Sequence, residues 1–262
     1  MTDRPAHLSA EFASQFADPS VVRAYRARPP YPAGTVEILE SLLAPGPARV
    51  LELGCGTGDL TLALAPRVAA LDALDPSRPM LEVARARAGS AHPQVRWHAA
   101  PAERFEPDES YALAVAAESL HWMEWSVVLP RVARWLRPGA VLAIVARELA
   151  PLPWDGELRR LIATHSTNRG FRPYDLIEEL ASRGLFRELG RRRTPPEPVV
   201  QSLADYVESF HSRNGFSRER MTERAAAEFD ASLRTAVLSH TPDGLVRGTG
   251  SALVVWGAPA SA

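Results

Sequence analysis

The feature that most restricts the fold of this chain is an apolar segment that leads directly into a glycine-rich turn. The segment is Arg49–Leu53 (RVLEL), the turn is residues 54–58 (GCGTG), and a helical pattern begins at Asp59. A short apolar run bounded by glycines is typical of a buried strand. Alternate glycines let the backbone turn tightly and approach a ligand closely. This order predicts a strand, a turn and a helix of an α/β sheet, with a ligand bound at the end of the strand.

The same alternation continues along the next hundred residues. Strand-like apolar runs occupy residues 68–74, 95–98, 111–116 and 140–146. Helical patterns, at 79–88 among others, lie between them. Strands that alternate with helices of this length indicate an α/β fold with a mainly parallel sheet.

After Pro151 the pattern becomes mostly helical. Helical patterns cover about residues 155–168, 174–183, 202–213 and 217–239, with a strand at 186–193 and a final strand at 252–256. We expect these helices to form a cap over the sheet. The predicted organisation is an N-terminal helical lid (1–45), a cofactor-binding core (46–150), a helical cap inserted around strand 6 (151–240) and the final strand of the core sheet (241–262).

Composition excludes several classes of protein. The net charge of −1 provides no basic field for nucleic acid or a membrane surface, so neither is an expected partner. All 30 basic residues are arginine, which excludes enzymes that need a lysine amine, such as Schiff-base aldolases. Cys55 is the single cysteine, so neither a disulfide within the chain nor a metal site is expected. No run reaches the roughly 18 apolar residues of a membrane helix, and the first twelve residues lack a signal segment, so the expected location is cytoplasmic.

The chemistry of the glycine turn points to a nucleoside. A dinucleotide fingerprint would need glycine at position 59, where the chain has aspartate. Asp75 ends the second strand, 17 residues after Gly58, where a carboxylate can accept hydrogen bonds from both hydroxyls of a ribose. The residues expected nearby suit a cationic nucleoside better than a pyrophosphate, because they are acidic: Glu52, Asp59, Glu103 and Glu118. The alternative is that the glycines only form a tight turn.

These segments resemble motifs of the class I S-adenosylmethionine-dependent methyltransferases. Residues 50–58 (VLELGCGTG) are similar to the first motif of that family, and residues 74–81 (LDPSRPML) to the second. Residues 102–103 and 138–139 are similar to two later motifs. The resemblance is strong over residues 20–150 and loose over the remainder.

The resemblance implies a Rossmann-like, seven-stranded, mainly parallel sheet with helices on both faces, an antiparallel last strand, and a helical cap between strands 5 and 7. It implies S-adenosyl-L-methionine as the cofactor. Asp75 would hold the ribose, and Met80 would pack on the adenine. The implied cofactor-binding residues are Tyr25, Arg28, Glu52, Gly54, Cys55, Gly56, Gly58, Asp75, Pro76, Met80, Ala102, Glu103, Ala117 and Glu118.

A narrower resemblance lies at residues 119–122 (SLHW), just after the fourth strand. Together with Tyr25, Arg28 and Tyr31, this segment is similar to the small-molecule branch that includes trans-aconitate-type methyltransferases. The chain departs from that branch at residues 123–124 (ME), where an aromatic residue and an aspartate are commoner, and by carrying an acid at position 118.

Candidate catalytic residues follow the fourth strand. His121 is the candidate general base, because histidine titrates near neutral pH. Glu118 would meet the methionine amine or the sulfonium, and Trp122 would offer an aromatic face to the cation. The predicted substrate-binding residues are Trp122, Trp125, Tyr206, Phe210, His211 and Asn214. Each of these residues also has a purely structural alternative.

The predicted function is methyl transfer from S-adenosylmethionine to a small molecule by in-line displacement, at a hydroxyl or carboxylate oxygen. Alternatives are a non-methylating reaction of natural-product biosynthesis on the same scaffold, a non-catalytic cofactor-binding module and, last, a nicotinamide oxidoreductase. The expected partner is the methyl acceptor, and the expected assembly is a monomer or homodimer.

Overall fold

One sheet of eight strands organises the molecule. The structure is a computed structural model that describes residues 5–260. The strands are β1 Arg49–Leu53, β2 Ala70–Leu74, β3 Val95–His98, β4 Tyr111–Ala117, β5 Leu136–Leu149, β6 Phe186–Arg193, β7 Glu197–Ser202 and β8 Leu245–Pro259. Their order is β3-β2-β1-β4-β5-β8-β6, and β7 pairs with β8. The predicted α/β fold with an antiparallel last strand is confirmed.

The strand order reverses beside β1. This strand pairs in parallel with β2 on one side and with β4 on the other. The connections to the two neighbours leave in opposite directions, so a crevice opens at the carboxyl ends of β1 and β4. The glycine turn follows β1, and residues 118–122 follow β4, so the fold brings both predicted functional segments to this crevice.

The sheet has one strand more than predicted. The antiparallel partners of β8 along one edge are first β6, opposite residues 253–259, and then β7, opposite residues 245–250. The segment 194–196 (TPP) separates them, because proline has no backbone N–H to donate. Strand β6 was predicted and β7 was not. The region 151–240 therefore contains two strands as well as helices.

Helices cover both faces of the sheet. Within residues 5–260 they are α1 Ala10–Ala13, α2 Pro19–Ala24, α3 Gly34–Ser41, α4 Asp59–Leu64, α5 Arg78–Ala88, α6 Trp125–Trp135, α7 Asp155–His165, α8 Leu176–Ser182, α9 Leu203–Phe210 and α10 Glu223–Leu238. Helices α3, α4 and α5 pack on one face and α6 and α8 on the other. Neighbouring residues of β1 belong to opposite clusters, as the period of a strand requires.

The N-terminal segment lies against the turn that follows α9. The amide of Gln15 donates to Asn214 (2.8 Å) and accepts from the backbone of Gly215 (3.0 Å). Asp18 pairs with Arg220 at 2.7 Å. These contacts join residues 15–18 to the region between β5 and β8, so the two segments form one cover over the crevice. In residues 5–260 no helix is both long and apolar enough to cross a bilayer.

Candidate functional site

The turn after β1 requires glycine for two reasons. Gly54, Gly56 and Gly58 have φ values of 75°, 54° and 80°, a region that other residues enter only with strain. In addition, a Cβ atom on Gly54 would lie 2.6 Å from the Cβ atom of Ser119. The turn therefore packs its backbone directly against Ser119 at Gly54, where no larger residue fits.

Asp75 lies directly beside this turn. Its Oδ2 atom accepts a hydrogen bond from the backbone N–H of Gly56, and its Oδ1 atom accepts one from Ser77, both at 2.8 Å. Each carboxylate oxygen can accept a second hydrogen bond. Burial raises the pKa of Asp75 to about 6. The carboxylate is thus fixed in orientation and keeps acceptor capacity for a ligand's hydroxyl groups.

A cavity of about 410 Å³ lies above the turn; we call it the glycine cavity. Its walls include Gly54, Gly56, Asp75 and the short helical turn Ala102–Arg104, where Ala102 and Glu103 take part. The predicted cofactor-binding residues that line it are Tyr25, Arg28, Glu52, Gly54, Cys55, Gly56, Asp75, Pro76, Met80, Ala102, Glu103, Ala117 and Glu118.

Gly58 is the predicted cofactor residue that does not line the glycine cavity. It precedes α4, and a Cβ atom there would lie 3.0 Å from Trp97 and 3.3 Å from the side chain of Ala84. Its role is to let the first helix after the turn pack closely against its neighbours.

The glycine cavity is acidic. Among the described residues, the carboxylates in its lining belong to Glu52, Asp59, Asp75, Glu103 and Glu118, against the guanidinium groups of Arg28 and Arg147. Burial raises the pKa of Glu52 to about 7, although Thr61 donates a hydrogen bond to it at 2.5 Å. A cationic ligand would offset the cost of burying these carboxylates.

Glu118 has a strained backbone at the end of β4. Its φ value is 53°, which is uncommon for a residue with a side chain. Its N–H donates to the carbonyl of Val145 (3.0 Å), and its Oε1 atom accepts from the N–H of Arg147 (2.5 Å). These bonds hold the strained conformation, which is a frequent property of functional sites.

A second cavity of about 740 Å³ adjoins the first; we call it the arginine cavity, after Arg28, Arg147 and Arg213 in its lining. His121 and Asn214, both predicted for the site, also line it. The residues that line both cavities are Phe16, Tyr25, Arg28, Glu118, Ser119, Trp122 and Arg147.

Trp122 and His121 lie side by side where the cavities meet. Their ring centroids are 4.9 Å apart, and the indole also meets Phe16 edge-on at 5.2 Å. Burial and the positive charge of Arg28 lower the pKa of His121 to about 4. The imidazole is therefore neutral at pH 7 and is a weak base.

Four predicted substrate-binding residues lie outside both cavities. Trp125 is fully buried and donates from Nε1 to the carbonyl of Leu120 (2.9 Å). Tyr206 and Phe210 belong to the hydrophobic cluster between α7, α9 and α10. His211 is fully buried and bonded to the carbonyl of Phe216 (2.8 Å) and to a carboxylate oxygen at 2.7 Å. All four side chains are buried in the packed interior and not in the linings of the cavities.

Lining residues outside the predicted set include Phe16, Ser119, Arg147 and Arg213. Arg147 follows the apolar part of β5, so the rule that ligands bind at strand ends could have identified it. Phe16 and Arg213 reach the site from segments almost 200 residues apart, and no local pattern marks either of them. The described residues contain no group of three histidine, cysteine or acidic side chains placed to hold a metal ion.

Comparison with known proteins agrees with this geometry. A family model described as a methyltransferase domain matches residues 50–139. An uncharacterized methyltransferase of Mycobacterium tuberculosis is 41% identical over 128 residues, 48% of this chain and 50% of the relative. A trans-aconitate 2-methyltransferase of Azoarcus sp. is 32% identical over 176 residues, 62% of this chain and 66% of the relative. The chain thus spans about half the length of its mycobacterial relatives.

A solved structure extends the agreement to nearly the whole chain. It is a candidate type II methyltransferase from Anaeromyxobacter dehalogenans, 27% identical, with a TM-score of 0.63 over 90% of this chain and 99% of that one. Residues 50–139 are a methyltransferase domain. The resemblance of the motifs to the class I S-adenosylmethionine-dependent methyltransferases is confirmed, and it supports S-adenosylmethionine as the cofactor.

The glycine cavity fits that cofactor on its own evidence. Gly54 and Gly56 line the cavity with backbone that carries no side chain, and Asp75 presents two oriented acceptors to a ribose. The acidic lining suits a sulfonium cation. The two arginines are the cations available in this lining for the carboxylate of the methionine part.

Proposed function

We propose that this methyltransferase transfers a methyl group to an oxygen atom of a small-molecule acceptor bound in the arginine cavity. The observation that carries the proposal is the wall shared by the two cavities at the end of β4, with Glu118, Ser119 and Trp122 in both linings. A nucleophile in one cavity can therefore approach a reactive group held in the other. The acceptor would be a small molecule because it would bind in a cavity of about 740 Å³.

The chain would act mainly by orientation. When bound, S-adenosylmethionine supplies an electrophilic methyl group, so the protein needs to supply no electrophile of its own. Asp75 would hold the ribose, while residues 102–103 would meet the adenine. Phe16 and Trp122 would exclude water between the cavities. Orientation of two reactants contributes about 7–11 kcal/mol in favourable cases.

The state of His121 favours a carboxylate acceptor over a hydroxyl. A hydroxyl needs a base with a pKa near the working pH, and the pKa of about 4 makes His121 a poor match. A carboxylate is already ionised at neutral pH and needs no base. The name of the Azoarcus relative, trans-aconitate 2-methyltransferase, denotes an acidic acceptor and supports the same choice.

The test is incubation with S-adenosylmethionine labelled in the methyl group and a panel of carboxylic acids and alcohols. We expect label in an organic product together with S-adenosylhomocysteine, and loss of both in Asp75→Ala. Conversion of a substrate without loss of the labelled methyl group would indicate a non-methylating reaction. Binding of the cofactor without turnover of any acceptor would indicate a binding module.

A further inference from the structure

The arginines of the cap differ in whether they have an acidic partner. Arg218 pairs with Glu208 (2.9 Å) and Asp230 (3.1 Å), and Arg220 pairs with Asp18. Arg213 lies on the same turn and lines the arginine cavity. Within residues 5–260 its guanidinium has neither a hydrogen-bond partner nor a carboxylate within 4 Å; its neighbour is the ring of Phe210, 4.0 Å away.

The other two arginines of the arginine cavity are already engaged. Arg28 donates from Nε to the hydroxyl of Ser212 (2.7 Å), and its guanidinium stacks on Tyr25. Arg147 donates to the carbonyl of Pro29 and stacks on Tyr31. Both also line the glycine cavity, where the cofactor's own carboxylate needs a cation. Arg213 is therefore the arginine left for the acceptor.

The environment of Arg213 compensates its charge only in part, because Glu118 is the acidic side chain that acts on it and pairs with the backbone of Arg147 instead. Burial, and then the positive charge of Arg28, lower its pKa to about 10. The acidic side chains in the same lining are engaged elsewhere: Glu118 accepts from the backbone of Arg147, and Asp175 accepts from the first N–H groups of α8 at 2.8 and 3.0 Å. A half-buried arginine in this setting gains most from an anionic ligand.

The part of the arginine cavity between the sheet and α8 is apolar. Its floor is the face of the sheet formed by Ile144 of β5 and by Leu253 and Val255 of β8. Leu176 and Ile177 of α8 form the opposite wall. A second or third carboxylate on the acceptor would lose its hydration against these side chains without a partner.

We propose that the acceptor is a monocarboxylic acid with an apolar body, whose carboxylate binds Arg213 and whose body lies between the sheet and α8. This proposal rests on the proposed function and narrows it. One carboxylate oxygen would form the new bond to the methyl carbon as the bond from that carbon to sulfur breaks. The products are a methyl ester and S-adenosylhomocysteine, and no proton is released.

The experiment is calorimetric titration of octanoate into the protein saturated with S-adenosylhomocysteine. We expect binding that is at least tenfold weaker for octanamide and for trans-aconitate, and about fourfold tighter per methylene from butyrate to octanoate. Arg213→Gln should weaken octanoate binding at least tenfold and leave the affinity for S-adenosylhomocysteine unchanged. Arg192→Gln, the same substitution at an exposed position of β6, is the matched control.

Equal binding of octanamide, tighter binding of trans-aconitate, or an Arg213→Gln variant that binds octanoate normally would overturn the proposal. The unchanged affinity for S-adenosylhomocysteine verifies that Arg213→Gln is folded, and Arg213→Lys should recover part of the lost affinity. The two proposals fail separately. Octanoate binding without methyl transfer refutes the proposed function alone. Methylation of an alcohol at a rate that Arg213→Gln leaves unchanged refutes this inference alone.

Discussion

The two cavities lie side by side but differ in charge and in the way the chain builds them. The glycine cavity is acidic, and its main parts come from short segments that directly follow β1, β2 and β4. The arginine cavity carries three guanidinium groups, and its parts come from the N-terminal segment, β5, the turn after α9, and β8. We infer that the lining of the glycine cavity follows from the fold, whereas the lining of the arginine cavity is adapted to the particular acceptor.

The largest expected effect concerns the glycine cavity. Asp75→Ala should weaken binding of S-adenosylmethionine about 100-fold, because two hydrogen bonds to an ionised group are lost. Asp75→Asn keeps the shape and should have a smaller effect, and Asp108→Ala is an exposed control. Calorimetry measures all three. An affinity that is indifferent to Asp75→Ala would remove the basis for assigning this cavity to the cofactor.

The next effect concerns the wall between the cavities. Trp122→Ala should lower kcat about 30-fold, since the two reactants lose orientation and water gains access. Trp122→Phe keeps an aromatic face and should recover most of the rate. Steady-state kinetics with the best acceptor of the panel is the measurement. A change confined to the KM of the cofactor would place the indole in cofactor binding and not between the reactants.

Acidification should affect the glycine cavity in particular. The pKa of Asp75 is about 6, so its carboxylate is ionised at pH 8 and mostly protonated at pH 5. Affinity for S-adenosylmethionine should therefore fall about tenfold as the pH drops through 6. Asp75→Asn keeps the titration of Glu52, whose pKa is about 7, and should lack the lower step. A flat pH profile of the wild type would contradict the assigned role of Asp75.

The smallest expected effect lies in the arginine cavity. His121→Ala should change kcat less than threefold with a carboxylate acceptor, because that reaction removes no proton. His121→Gln serves as the variant that fills the same space. A 100-fold loss of kcat in either variant, together with loss of the titration of a base from the pH profile of kcat, would show that the histidine is a general base and the acceptor a hydroxyl.

The contrast between the cavities explains what the sequence could predict. The glycine turn, Asp75 and residues 102–103 belong to contiguous motifs. Each motif follows a strand-like run, so the sequence predicts its place at the end of a strand. Within the motif, Gly58 proved to serve helix packing. The fold class was predicted, but β7 was not, because its prolines and charged flank hide the strand pattern at a sheet edge.

The substrate side depended on tertiary packing. Trp125 was assigned to the acceptor although it shares a helical face with Val128, Leu129 and Val132, all fully buried. A helical pattern that begins at Trp125 places its side chain in the core. Arg213 is one of 30 arginines, and its lack of an acidic partner shows only when the turn after α9 meets the N-terminal segment.

The most direct test of the account is a crystal structure of the complex with S-adenosylhomocysteine. We expect both ribose hydroxyls on the carboxylate of Asp75 and the sulfur atom at the shared wall, beside Glu118 and Trp122, facing the arginine cavity. A ribose bound away from Asp75, or a sulfur atom that faces away from the arginine cavity, would contradict it.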